Sequence, residues 1–148
     1  MKYLFFSFFL LTALLYIWNG KDMLSKKEWK SFLLKIALVI PAAMIWGVLL
    51  AFTLKFFPAL GYDNMLFLSI IFPLSILGVL FSKLLVVLLC TIFTTILQLH
   101  ENHNTQENYS KIASIFRRWG PKVLIAAKCL SSLGAVMVFY GIWLTDVA

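Results

Sequence analysis

The sequence predicts an all-α membrane protein. It has four transmembrane helices, the third long and kinked, and a short amphipathic helix at the cytoplasmic interface. Three observations predict this. Apolar stretches at 3–18, 31–57, 65–99 and 123–144 occupy most of the 148 residues, and a helix needs roughly 20 apolar residues to cross a hydrocarbon core of about 30 Å. Hydrophobic residues make up 62% of the chain and charged residues 13%, against roughly 45–50% and about 25% in soluble domains. Lysine and arginine also gather on alternate connections. Lys21, Lys26, Lys27, Lys30 and Lys35 follow the first stretch, and Lys111, Arg117, Arg118, Lys122 and Lys128 accompany the start of the fourth. The connection at 58–64 carries only Asp63, and the end of the chain only Asp146. By the positive-inside rule the basic loops are cytoplasmic and both termini lie outside. Lys2 and Lys55 are the outer exceptions, and both can snorkel to headgroups. The net charge of +7 therefore follows topology and does not point to nucleic acid. One membrane domain, 1–148, accounts for this length.

The first stretch has the start of a signal peptide, Lys2 before Leu4 to Leu15. No A-x-A site follows, and Tyr16, Ile17 and Trp18 fill the cleavage zone. It reads as a retained helix. Its rings, Phe5, Phe6, Phe8 and Phe9 among them, and its lack of a small-residue stripe predict a peripheral, lipid-facing position. Asn19 and Gly20 end it. The second helix opens on Ser25-Lys26-Lys27-Glu28, a capping box in which serine and glutamate satisfy orphan amides reciprocally. Pro41 predicts a kink. Ala43, Gly47 and Ala51 recur every four residues and form a seam along which another backbone can approach. Such a seam serves internal packing, or a dimer or partner.

The third stretch is too long for one upright span. It is a tilted helix projecting into the cytoplasm, a pair of crossings broken near Ser82-Lys83, or a re-entrant turn. The charge of the next loop favours a single crossing, with Pro73 and Gly78 as bending points. The polar connection at 100–110 holds His100 and His103, one residue short of the H-E-x-x-H zinc spacing and without a third ligand. Asn108-Tyr109-Ser110 matches a glycosylation sequon, but a cytoplasmic loop would not meet that machinery. From 109 to 119, Tyr109, Ile112, Ala113, Phe116 and Trp119 share one helical face, flanked by Lys111, Arg117 and Arg118. That pattern predicts an interfacial helix whose cations meet anionic headgroups or a partner. Gly120-Pro121 predicts a break before the fourth helix. There Ala127, Ser131 and Ala135 form a second seam, widened by Ser132 and Gly134. Helices two and four would run parallel at the centre of the bundle, with Phe139, Tyr140 and Trp143 at the outer belt.

Chemistry is sparse. The six carboxylates, Asp22, Glu28, Asp63, Glu101, Glu107 and Asp146, all fall in loops or termini. No proton-relay acid sits in a span. Cys90 and Cys129 lie in spans without a C-x-x-C and read as packing residues. A membrane thiol enzyme is the sharper reading of that pair. No nucleophile constellation, glycine-rich phosphate loop, metal set or cofactor motif is present. Lys83 is the one intramembrane charge. It snorkels near an interface, or it marks a site for an anion, a lipid headgroup or a partner carboxylate. Its accessible partners are lipid phosphates or backbone carbonyls freed at Pro41 or Pro73.

These features predict a small non-enzymatic protein that acts by binding another membrane protein. The alternative is a transporter, channel, holin-like or lipid-handling subunit with Lys83 as its central charge. The partners would be anionic membrane lipids and another membrane protein or a second copy. In its length, four spans, basic inner loops and missing catalytic groups the chain resembles several kinds of small bacterial inner-membrane protein. These are colicin-type immunity proteins, conjugative exclusion proteins, phage superinfection-exclusion proteins and small accessory subunits. That resemblance implies inhibition, immunity, exclusion or an accessory role.

Overall fold

A computed structural model describes residues 2–103 and 105–145; Asp146, and the side chain of Glu107, lie outside the described residues. The chain is helical, with α1 (Lys2–Asn19), α2 (Lys26–Phe56), a short 3-10 turn (Pro58–Leu60), α3 (Tyr62–His103) and α4 (Gln106–Trp143). All four long helices are long and apolar enough to cross a membrane. The α2 start is made as its sequence dictates. Ser25 Oγ accepts from the Glu28 amide at 3.3 Å, and the Glu28 carboxylate accepts from the Ser25 amide at 2.8 Å.

One interruption weighed from the sequence and one expected from it are absent. α3 runs unbroken through Ser82-Lys83, so 65–99 is one helix. α4 runs unbroken through Gly120-Pro121, so 109–119 is not a separate interfacial helix but the first third of a single 38-residue one. A proline removes one backbone donor and crowds one carbonyl, a local defect that a long membrane helix can absorb. The 42 residues of α3 and the 38 of α4 reach about 63 and 57 Å at 1.5 Å per residue. Both exceed the hydrocarbon thickness.

The centre of the bundle also differs from expectation. α3 packs against α1, α2 and α4, whereas among the described residues α2 touches α3 alone of the other long helices. Helices two and four therefore do not meet, and α1 is not peripheral. Phe9, Ala13 and Ile17 of α1, spaced four apart, are buried against Ile71 and Val86 of α3 and Ala127, Ala135, Phe139 and Trp143 of α4. The aromatic side chains of α1 that resemble a lipid-facing belt are partly core. Phe9 lies 5.9 Å from Trp143 in a stacked pair and 5.5 Å from Phe72 edge-on, and Phe5 stacks on Trp143 at 5.4 Å. The Trp143 indole N–H donates to Ser75 Oγ at 2.9 Å, and that hydroxyl donates to the Ile71 carbonyl at 2.8 Å. At Gly78 a Cβ would meet Phe139 Cζ at 3.2 Å, so α3 and α4 approach closely there.

Candidate functional site

The C-terminal end of α1 has no basic residue of its own in the last turn. A helix C-terminus carries partial negative charge and unsatisfied carbonyls. Two lysines from other helices supply what it lacks. Lys83 of α3 is 1% exposed, and its Nζ donates to the carbonyls of Ile17 at 2.6 Å and Gly20 at 2.9 Å and to Asp22 Oδ1 at 2.6 Å. An ammonium has three donors, and all three are used. Lys128 of α4 donates to Asp22 Oδ2 at 2.9 Å and to the Trp18 carbonyl at 3.3 Å. Its Nζ also lies 6.0 Å from the centre of the Trp18 ring.

Asp22 is therefore shared by two cations, one per carboxylate oxygen. Partial burial pushes its carboxyl up, but the hydrogen bonds and charges of Lys83 and Lys128 outweigh that, and it lies below its ordinary value. The cluster is a clamp that ties the end of α1 to α3 and α4. Neither the Pro41 nor the Pro73 region supplies the partner of Lys83. The carboxylate comes from the loop just past α1. The signal that could have revealed it is Lys128, which lies inside the fourth apolar stretch and so is a second cation among apolar residues, not only a topology marker.

The other candidate residues divide by position. Ala127, Ser131 and Ala135 of α4 are buried. On α2, Ala43 borders a groove with Val39, Trp46 and Phe72, Ala51 is exposed, and Gly47 has nothing within 4 Å of the place a Cβ would occupy. The close contact expected at Gly47 is not made among the described residues of this chain. Lys111, Arg117 and Arg118 are exposed. Cys90 is half-buried and Cys129 exposed, so the latter is not a packing residue of this bundle. His103 Nδ1 lies 3.1 Å from the Leu99 carbonyl in the last turn of α3. No cluster of three metal-ligating side chains occurs among the described residues.

Two further features were not visible from sequence. A groove of about 520 Å³ runs between α3 and α4, bordered by Gly78, Ser82, Leu85, Ser131, Gly134 and Met137. The Ser131 Oγ is buried without a hydrogen-bond partner among the described residues. Nearer the α3–α4 connection the two helices part around a second cleft of about 340 Å³. No family model matches this chain, and no curated protein or solved structure matches it either.

Proposed function

We propose that this chain is a small non-enzymatic protein of the bacterial inner membrane that works by binding another membrane protein, as an inhibitor, an immunity or exclusion factor, or an accessory subunit. In this reading both termini lie outside, the basic connections are cytoplasmic, and the 109–119 part of α4 meets the cytoplasmic interface. The observation that carries it is the α3–α4 groove. Its border alternates small residues, Gly78, Ser82, Ser131 and Gly134, with exposed Leu133 and Met137. Small residues let a further helix approach closely, and hydroxyls hydrogen-bond across such contacts. The buried Ser131 hydroxyl lacks a partner among the described residues, and a transmembrane helix of a partner with a polar side chain would supply one. The transport alternative loses support from Lys83. Its three donors are already taken by Ile17, Gly20 and Asp22, which leaves none for a passing anion.

The test is capture of the tagged chain from membranes in mild detergent, with Gly134→Leu alongside. Nothing lies within 4 Å of a Cβ at Gly134, so the added side chain fills the groove without disturbing the fold. A stoichiometric membrane protein that co-purifies with the unaltered chain and is lost from Gly134→Leu supports the proposal. A chain that purifies alone and conducts anions in vesicles sinks it. Self-association lost from the same variant would make the partner a second copy.

A further inference from the structure

The cleft near the α3–α4 connection is walled mainly by apolar side chains, Leu89, Phe93 and Leu97 from α3 and Ala113, Phe116 and Leu124 from α4. Phe93 and Phe116 meet edge-on at 5.4 Å. The volume of about 340 Å³ falls in the range of about 300–1,000 Å³ usual for small-molecule sites. One charged group lines it, Arg117. Among the described residues that guanidinium has no ion pair, and no acidic side chain lines the cleft. Arg118 follows it, and Lys122 lies 5.0 Å from the centre of the Trp119 ring one turn on.

In the topology proposed above, the cleft lies toward the cytoplasmic boundary. Thr94 on α3 and Arg117 on α4 each lie about 16 Å along their helices from the clamp lysines, at 1.5 Å per residue. The cleft thus begins beyond the Asp22 clamp and ends among the basic residues of α4. A ligand that matches it has a long apolar part for the walls and a negative head for Arg117. A free anion would leave the walls empty. An apolar helix would fill the walls but give Arg117 no counter-charge. A zwitterionic lipid offers the chain but no net charge.

We propose that this cleft is a binding site for one anionic phospholipid, with the phosphate at Arg117 and an acyl chain running from there toward the clamp between Leu89, Phe93, Phe116 and Leu124. The site is separate from the α3–α4 groove, and its success or failure leaves the partner-binding proposal standing. Native mass spectrometry of the purified chain in mild detergent tests it, with added phosphatidylglycerol or phosphatidylcholine of the same acyl chains. One bound phosphatidylglycerol is expected, retained in preference to phosphatidylcholine. Arg117→Gln should cut that preference about fivefold, the equivalent of about 1 kcal/mol per cation near an anionic surface. Arg118→Gln, next to the cleft but not lining it, should leave most of it. Gly120→Phe, where nothing lies within 4 Å of an added Cβ, should expel both lipids; if it also lowers the unfolding temperature, Leu89→Trp fills the same space from the other helix. Equal retention of the two lipids by the unaltered chain overturns the proposal. So does equal loss in Arg117→Gln and Arg118→Gln, or lipid retention indifferent to both cleft-filling variants. Loss of a captured protein from those variants with lipid unchanged would make the cleft a peptide groove and overturn it as well.

Discussion

At its N-terminal end α1 is held by rings, and at its C-terminal end by charge. Near the start of α1, Phe5 and Phe9 interlock with Phe72 and Trp143 through contacts of 5.2–5.9 Å. Near its end, Lys83 and Lys128 converge on Asp22 and on the last carbonyls of the helix. Lipid tails are as apolar as leucine, so helix association in a membrane gains little from burying apolar surface and depends on shape and hydrogen bonds. The aromatic end spreads that dependence over several rings, each worth about 0.5–1.5 kcal/mol beyond its burial. The lysine end concentrates it in one carboxylate that neutralises one of two cations and bonds to both. The two ends should therefore fail differently, gradually at one and abruptly at the other.

The largest expected effect comes from Asp22→Asn. It keeps the shape and leaves two lysines, one of them 1% exposed, with no counter-charge. Breaking a buried pair from one side costs about 3–5 kcal/mol, and the Asp22 side chain, 26% exposed, belongs toward the lower end. Lys83→Met should cost less. From sequence that change looks like the relief of an expensive charge, but here it releases the Ile17 and Gly20 carbonyls while Asp22 and Lys128 stay paired. Thermal unfolding in detergent should rank Asp22→Asn below Lys83→Met, and both below the unaltered chain. The reverse ranking would mean that the carbonyl contacts, not the carboxylate, hold the clamp. Acid should act on the same group. The folded Asp22 carboxyl lies below its ordinary value, which is about 3.9 in an unfolded chain. Its contribution is present above that value and is lost as pH falls through the lower, folded one. Unfolding temperature should drop below about pH 4 in the unaltered chain, and less so in Asp22→Asn.

Much of this contrast could not be read in advance, for a physical reason. The four long apolar helices were legible because length and hydropathy are enough to mark a candidate span. The α2 capping box was legible because its partners lie three residues apart. Which face of a span is buried was not legible, since core-facing and lipid-facing residues are equally apolar. Hence Phe9 and Ile17 read as lipid-facing and are core, while Gly47 reads as a contact and makes none among the described residues of this chain. A stripe of small residues says that a backbone can come close, not that one does. Asp22 was hidden because a loop residue's depth is not encoded in hydropathy. Lys83, by contrast, stood out as a charge among apolar neighbours, and only its partner was missed.

A mid-sized effect separates the two glycines. At Gly78 an added Cβ meets Phe139 Cζ at 3.2 Å, and at Gly47 it meets nothing within 4 Å. Gly78→Leu should wedge α3 from α4 and cost about 1–3 kcal/mol, as overpacking does. Gly47→Leu should stay within about 0.5 kcal/mol, like other changes away from packed features. Unfolding temperatures of the two variants in the same detergent check this. If Gly47→Leu proves as harmful as Gly78→Leu, α2 has a close neighbour outside the described contacts, and the small-residue stripe Ala43, Gly47, Ala51 becomes an oligomer seam.

The smallest expected effect tests whether the aromatic end is as diffuse as it looks. Trp143 is 1% exposed and is its largest buried side chain, so it is the natural candidate for a hidden counterpart of Asp22. It combines ring contacts to Phe5, Phe9, Phe67 and Phe72 with one hydrogen bond to Ser75. Trp143→Phe keeps a ring in place and removes the hydrogen bond, and interhelical hydrogen bonds in a membrane bundle average about 0.6 kcal/mol. Ser75→Ala removes the same bond from the other side. Each single variant should lose roughly that amount, and the double variant should lose little more than either, since only one interaction is being counted twice. Because the remaining rings still stack, no loss approaching that of Asp22→Asn is expected. A cost for Trp143→Phe above that of Gly78→Leu would show that the aromatic end also hangs on one group. The distinction between an end that yields gradually and an end that yields at once would then disappear.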